Sequence, residues 1–262
     1  MSQSSPIHIA ILDLYDGSAN VGMDCIMDIL DDWSKKQSIT IITTVFDVRV
    51  KHALPDDTYD LYLSSGGPGS PIDTHTQPWD LAYCNWLDQM FAKKKPVLLI
   101  CHSFQIACRH FDIGKVGLRK SKQLGILPIH PTADHAIFEA LPDPFFALES
   151  RMYQITEPND EKIESMGATI IALEKIRPQL PYERALMGVA FSDKMIGVQF
   201  HPEATKERLS SYFNTDAIKS AVVEDFSEDK WNQIIQSLEE DSKIKHTCSR
   251  FIPNFLNQML PV

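Results

Sequence analysis

"KPVLLICHSFQIACRHF", Lys95–Phe111, is the stretch on which the reading of this chain turns. Its apolar run stops at Cys101-His102, and the residues beyond continue in a helical pattern. A short buried strand passing directly into a helix is the repeating unit of a parallel sheet covered by helices. Cys101 sits at the turn and reads in two ways. It is either a nucleophile at the carboxyl edge of the sheet, its thiolate favoured by the unpaired N–H groups of a helix N-terminus, or a small apolar residue at the rim of a core.

Outward from this stretch the first 130 residues repeat the same alternation. "IHIAILDLY" is followed by a helix-length segment from about Asn20 to Lys36, then "ITIITTVFDV", "YDLYLSS" and the helical Pro78–Lys95. In that last segment Trp79, Ala82, Trp86, Leu87, Met90 and Phe91 recur at i, i+3 and i+4, which gives one apolar face belonging to the core. From about Gln123 the pattern changes to closely spaced strands, "QLGILPI", "FFALES", "ATIIALEK", "ALMGVAFSD" and "MIGVQF", with "HAIFEAL" as a short helix. The Ser-Asp-Lys link before "MIGVQF" reads as a hairpin turn, so the sheet is expected to be mixed. The fold class is therefore α/β: a flavodoxin-like, mixed but mostly parallel sheet flanked by helices. Residues 1–205 form this domain, and 206–262 read as a C-terminal helical extension of three or four helices packing on it, with breaks near Asn214 and Phe226–Ser227.

Composition narrows the function classes. The 262 residues are 44% hydrophobic and 23% charged, as in an ordinary globular chain. A net charge of −10 argues against a nucleic-acid backbone or an anionic membrane surface as partner. The start "MSQSSPIHIAIL" lacks the basic and apolar segments of a secretion signal, and no stretch has the length of a membrane span, so the cytoplasm is the expected compartment. Cys25, Cys84, Cys101, Cys108 and Cys248 form no CxxC pair and fit neither a disulfide framework nor a cysteine zinc site. His130, Asp134 and His135 in "IHPTADH" have no third ligand at a recognised spacing, so no metal is expected, and no cofactor motif is present.

Two further stretches bear on Cys101. In "GVQFHPEA", His201 and Glu203 lie two apart after a strand, with Pro202 restraining the backbone between them. They read either as a base with its orienting carboxylate or as a strand-ending turn with a solvated Glu. "SSGGPGS", Ser64–Ser70, reads either as a tight turn or as backbone donors for an oxyanion. It lacks the GK[ST] ending of a phosphate-binding loop.

The order GGPG, then Cys101 with Gln105 four residues on, then His201-Pro202-Glu203, resembles the class I glutamine amidotransferase family, most generally the amidotransferase half of GMP synthetases. The resemblance runs over roughly residues 7 to 205. It implies that Cys101 attacks the side-chain amide of glutamine, that His201 is general base and acid, and that Glu203 orients it. It further implies an oxyanion hole from the backbone N–H groups of Gly67 and His102, and substrate contacts from Gly66 and Gln105. Glutamine or a glutamine-like small molecule is the expected ligand, and a separate synthetase or acceptor subunit the expected partner. The family usually carries glycine two residues before and after the cysteine, where this chain has Leu99 and Ser103. Its later substrate-contacting loop corresponds here to Glu149–Pro158, with Tyr153 and Gln154 facing the site and Arg151 either pairing with a substrate carboxylate or, as the favoured use, in a surface salt bridge. Homoserine acyltransferases and gamma-glutamyl hydrolases share the same triad order, and a degenerate amidotransferase domain retained for binding is the non-enzymatic alternative.

Overall fold

The computed structural model describes residues 5–175, 179 and 184–260. Met1–Ser4 of the N-terminal stretch and the last two residues of the tail lie outside the described residues. The elements are β1 (Ile7–Asp13), α1 (Gly22–Gln37), β2 (Ile41–Asp47), β3 (Leu61–Ser64), α2 (Pro78–Ala92), β4 (Val97–Ile100) and α3 (His102–His110). There follow β5 (Gly114–Pro131), a 3-10 turn (Ala136–Phe138), β6 (Phe145–Pro158), α4 (Asp160–Met166), β7 (Thr169–Glu174), β8 (Leu186–Ala190) and β9 (Met195–Val198). The tail forms α5 (Lys206–Phe213), α6 (Asp216–Asp225), α7 (Glu228–Glu239) and α8 (Asp241–Met259).

Nine strands form one sheet in the order β2-β1-β3-β4-β9-β8-β7-β5-β6. Pairing is parallel from β2 through β9 and antiparallel from β9 to β6. Inside the edge strand β2, the parallel strands are apolar on both faces because both are covered. Ile9, Ile11, Leu61, Leu63, Leu98 and Ile100 join the core shared with α1. The intervening Ala10, Leu12, Tyr62, Val97 and Leu99 join the core under α2 and α3. The parallel pairing places the carboxyl ends of β1, β3, β4 and β9 along one edge, where the loops carrying Tyr15, Gly66, Cys101 and His201 emerge.

The antiparallel half departs from the sequence reading in length. β5 and β6 run 18 and 14 residues, with a register shift between Leu118 and Gln123. Glu149–Pro158, expected as a loop, is the second half of β6. The charged run "LRKSKQ" conceals the early part of β5, since a strand exposed on one face tolerates Lys and Arg there. "HAIFEAL" contracts to the three-residue 3-10 turn, whose Ile137 amide donates to His135 Nδ1 at 3.2 Å.

The tail divides its contacts. α8 sends Phe251, Ile252, Phe255 and Leu256 into the α1-side core. It is also held by polar bonds: Trp33 Nε1 donates to Asn257 Oδ1 at 2.8 Å, and Thr247 Oγ1 to the Phe146 carbonyl at 2.6 Å. α5, α6 and α7 instead build a separate apolar cluster with the β5–β6 ribbon, from Leu124, Ile126, Leu148, Leu209, Phe213, Val222, Ile234 and Leu238.

Candidate active site

Cys101 occupies the link between β4 and α3 with φ 52° and ψ −97°, a conformation that favours glycine over any L side chain. Its amide donates to Val198 O at 2.7 Å, and its carbonyl accepts from Gln105 N at 3.0 Å, so both neighbouring elements hold the residue there. The His102 amide is at the first position of α3 and has no partner inside the helix.

The two family glycines that this sequence lacks are replaced by different means. Ser103 Oγ accepts from Ile100 N at 2.8 Å and lies 3.0 Å from the carbonyls of Ser64 and Ile100, so its hydroxyl ties the turn to the end of β3. Leu99 is fully buried on the α2–α3 face, opposite Gly197 in the register of β4 with β9. A Cβ at Gly197 would come within 2.5 Å of the Phe104 ring. The glycine space is thus supplied by the adjacent strand, and the first turn of α3 packs into it.

His201 follows β9 and is fixed by its amide, which donates to Leu148 O at 2.8 Å. Its Nδ1 lies 2.7 Å from Glu203 Oε1, and the ring lines the same cavity as Cys101. Burial pulls the imidazole down, but the opposed charges of Glu203 and Cys101 outweigh it and raise His201 well above its usual value. Glu203 is 1% exposed, and Oε2 has no hydrogen-bond partner among the described residues. The other four thiols are each raised, first of all by burial: Cys84 to about 12, Cys248 to about 11, and Cys25 and Cys108 in the same direction. Cys101 alone of the five sits against an imidazole.

Gly66 and Gly67 close over this centre. A Cβ at Gly66 would stand 2.9 Å from His201 Cε1, and one at Gly67 would stand 2.2 Å from the Leu14 carbonyl. Neither position has room for a side chain, and the backbone at Gly66 approaches Cys101 as a consequence. Gln105 is buried beneath the cysteine, donating to Gln199 Oε1 at 3.0 Å, while Gln199 Nε2 lies 3.6 Å from the sulfur.

A cavity of about 650 Å³ opens onto Cys101, His201 and Glu203, and also reaches Gly67, Gln105 and Tyr153. Gln154 does not line it. Neighbouring residues of a strand diverge, and the Gln154 side chain accepts from Arg119 Nη1 at 2.7 Å instead. Arg151 likewise departs from expectation. It is a buried residue whose Nε donates to Glu149 at 2.7 Å and whose Nη2 lies 3.4 Å from Glu174, an internal network rather than a surface pair.

Tyr15, Ser150 and Gln199 were not singled out in the sequence. Tyr15 lines the cavity, and burial together with the charges of Glu203 and Cys101 raises its phenol well above the usual value. Its position directly after a parallel strand was the available signal. His130 lies 3.9 Å from Asp143 and His135 caps the 3-10 turn; among the described residues no three His, Cys, Asp or Glu side chains gather as a metal-binding group. No described helix is long and apolar enough to cross a membrane.

Comparison with known proteins matches the chain to a family. The fold resembles a glutamine amidotransferase from Thermotoga maritima with a TM-score of 0.70 at 15% identity, covering 98% of this chain and 99% of that one. A glutamine amido transferase from Methylobacillus flagellatus aligns with a TM-score of 0.60 at 17% identity, over 95% of this chain and 94% of that one. The glutaminase domain of Trypanosoma brucei CTPS, solved with bound acivicin, aligns with a TM-score of 0.61 at 12% identity, over 96% of this chain and 94% of that one. A comparison with curated proteins gives no match. The model of the family described as glutamine amidotransferase class-I matches residues 29–220, which take in the elbow, the glycine loop and the His-Pro-Glu turn. On that match, the chain belongs to the class I glutamine amidotransferase family.

Proposed function

We propose that the chain hydrolyses the side-chain amide of glutamine through a thioester on Cys101. The observation that carries this reading is the convergence of Cys101, at a strained strand-to-helix turn, and the hydrogen-bonded His201–Glu203 pair on one cavity. In this mechanism the thiolate attacks the amide carbon, and the oxyanion is received by the N–H groups of Gly67 and His102. His201 passes its proton to the departing nitrogen, Glu203 holding the ring and balancing the imidazolium. Water activated by the same imidazole then attacks the thioester, releasing glutamate and restoring the thiol. Gly66, Gln105 and Tyr153 border the amino-acid portion of the substrate, and the ammonia acceptor belongs to a separate subunit. Five unpaired cysteines suit a reducing compartment such as the cytoplasm.

The test is intact-protein mass spectrometry after exposure to a glutamine-like diazoketone, followed by peptide mapping. A single adduct on Cys101 that glutamine competes away is the expected result. Absence of that adduct while iodoacetamide still alkylates Cys101 overturns glutamine as the substrate.

A further inference from the structure

The cavity is larger and less polar than the substrate of that reaction requires. Pockets of roughly 300–1,000 Å³ hold drug-sized molecules, and glutamine is a fraction of such a molecule. The part of the cavity beyond the reacting centre is walled by Leu124 and Leu148 of the ribbon and by Leu209, Phe213, Val222 and Phe226 of the tail. These residues come largely from the apolar cluster that α5 and α6 form with β5 and β6. Ammonia, a small polar product, gains nothing from such a wall.

The position of this wall relative to His201 decides what it faces. The general acid must reach the departing nitrogen, so any substituent on that nitrogen lies on the imidazole's side of the scissile bond. Leu148 is bridged to His201 through the backbone, and Ala204 is donated back to the His201 carbonyl at 3.4 Å. Both line the cavity, and both continue into the α5–α6 cluster. Gln105 and Tyr153 are tied to each other, the Gln105 side-chain amide lying 3.4 Å from the Tyr153 carbonyl, and form a polar part of the lining separate from that cluster. At the apolar end the charged members Lys122 and Asp225 are paired with each other, which leaves no unmatched charge there to select an ionic group.

We infer that the preferred substrates are γ-glutamyl amides whose nitrogen carries a neutral apolar substituent, seated between the β5–β6 ribbon and α6. This rests on the Cys101 thioester reading and changes its leaving group from ammonia to an amine. The balance is simple. The C–N bond breaks as the C–S bond forms, His201 gives its proton to the amine nitrogen, and water restores the thiol while releasing glutamate.

The experiment measures glutamate release by the full chain from glutamine, γ-glutamyl-methylamide and γ-glutamyl-benzylamide. Benzylamine and ammonia are of similar basicity, so leaving-group ability does not set the ratio. A kcat/KM for the benzylamide at least about tenfold above that for glutamine, with the methylamide between them, is expected, since apolar pockets discriminate by this order per added group. Ala221 lines the cavity from an exposed position on α6. Ala221→Trp is expected to lower the benzylamide-to-glutamine ratio at least fivefold. Turnover of glutamine equal to or better than that of the benzylamide overturns this inference and leaves the thioester reading standing. No glutamate from any of the three overturns both.

Discussion

The parallel and antiparallel halves of the sheet solve different problems. Between β2 and β9 the strands are 4 to 7 residues long, and inside the edge strand β2 they are mostly buried on both faces. Between β8 and β6 the strands lengthen, the register slips, and helices cover the outer ribbon with a second apolar cluster. The first half brings Cys101, the His201–Glu203 pair and two close-packed glycines together where small displacements matter. The second walls the apolar end of the cavity. Under the proposed thioester reading, chemistry and selectivity fall to separate packing units, so that one can be altered while the other is kept.

That separation can be broken most severely at Cys101. Cys101→Ala is expected to reduce glutamate release by at least ~10⁴-fold, with an unchanged circular-dichroism spectrum. Measurable turnover in this variant would place the nucleophile elsewhere. Glu203→Gln keeps the ring's neighbour but removes its charge. Its loss of kcat should be about two orders of magnitude smaller than that of the cysteine variant, as for other orienting carboxylates. An equal loss would mean that the carboxylate does more than orient and balance the imidazole.

The parallel half should also dominate the response to acid. Burial, with a smaller contribution from the Arg49 charge, holds the His102 imidazole down to about 3, against about 6.5 in an unfolded chain. Its neutral state is therefore without penalty above about pH 6.5. Below that, the unfolded chain binds a proton that the folded one refuses, and stability falls by up to about 1.4 kcal/mol per pH unit towards pH 3. Urea midpoints of the native chain should thus drop more steeply between pH 6.5 and 4.5 than those of His102→Leu. Identical slopes would assign the acid limb to other groups.

The smallest effect expected sharpens the same comparison. Because Cys101 is held at φ 52°, Cys101→Gly should be more stable than Cys101→Ala by about 1 kcal/mol. Thermal unfolding of the two inactive variants reads that difference, and equal midpoints would show that the turn stores no strain.

The sequence was most informative where chemistry restricts residue type. A cysteine at a strand-to-helix turn, His and Glu two apart after a strand, and adjacent glycines after another strand have few joint uses, and all three meet at one edge. The long ribbon was harder to read because Lys120 and Lys122 interrupt its apolar pattern on the side left exposed, while Arg119 interrupts it from within, largely buried against Glu174. Gln199 illustrates a second limit: it lies just beyond β9, and only tertiary packing brings its amide to both Gln105 and Cys101. Gln154 illustrates a third, since a segment read as a loop carries no rule of alternation, whereas the strand it belongs to turns that side chain towards Arg119. The helical pattern of the tail indicated an extension packed on the domain without indicating that part of α5 and α6 lines a cavity.

Leu99 and Gly197 have a consequence for how such proteins are recognised. The space beside the strand of the nucleophile persists, although the residue that provides it sits in β9, almost a hundred positions along the chain. A motif written as glycine at a fixed offset from the cysteine describes one way of making that space. Written as an unfilled volume beneath the first turn of the following helix, the same requirement covers both arrangements, and the relevant unit of inheritance becomes a contact between two strands rather than a letter in one of them.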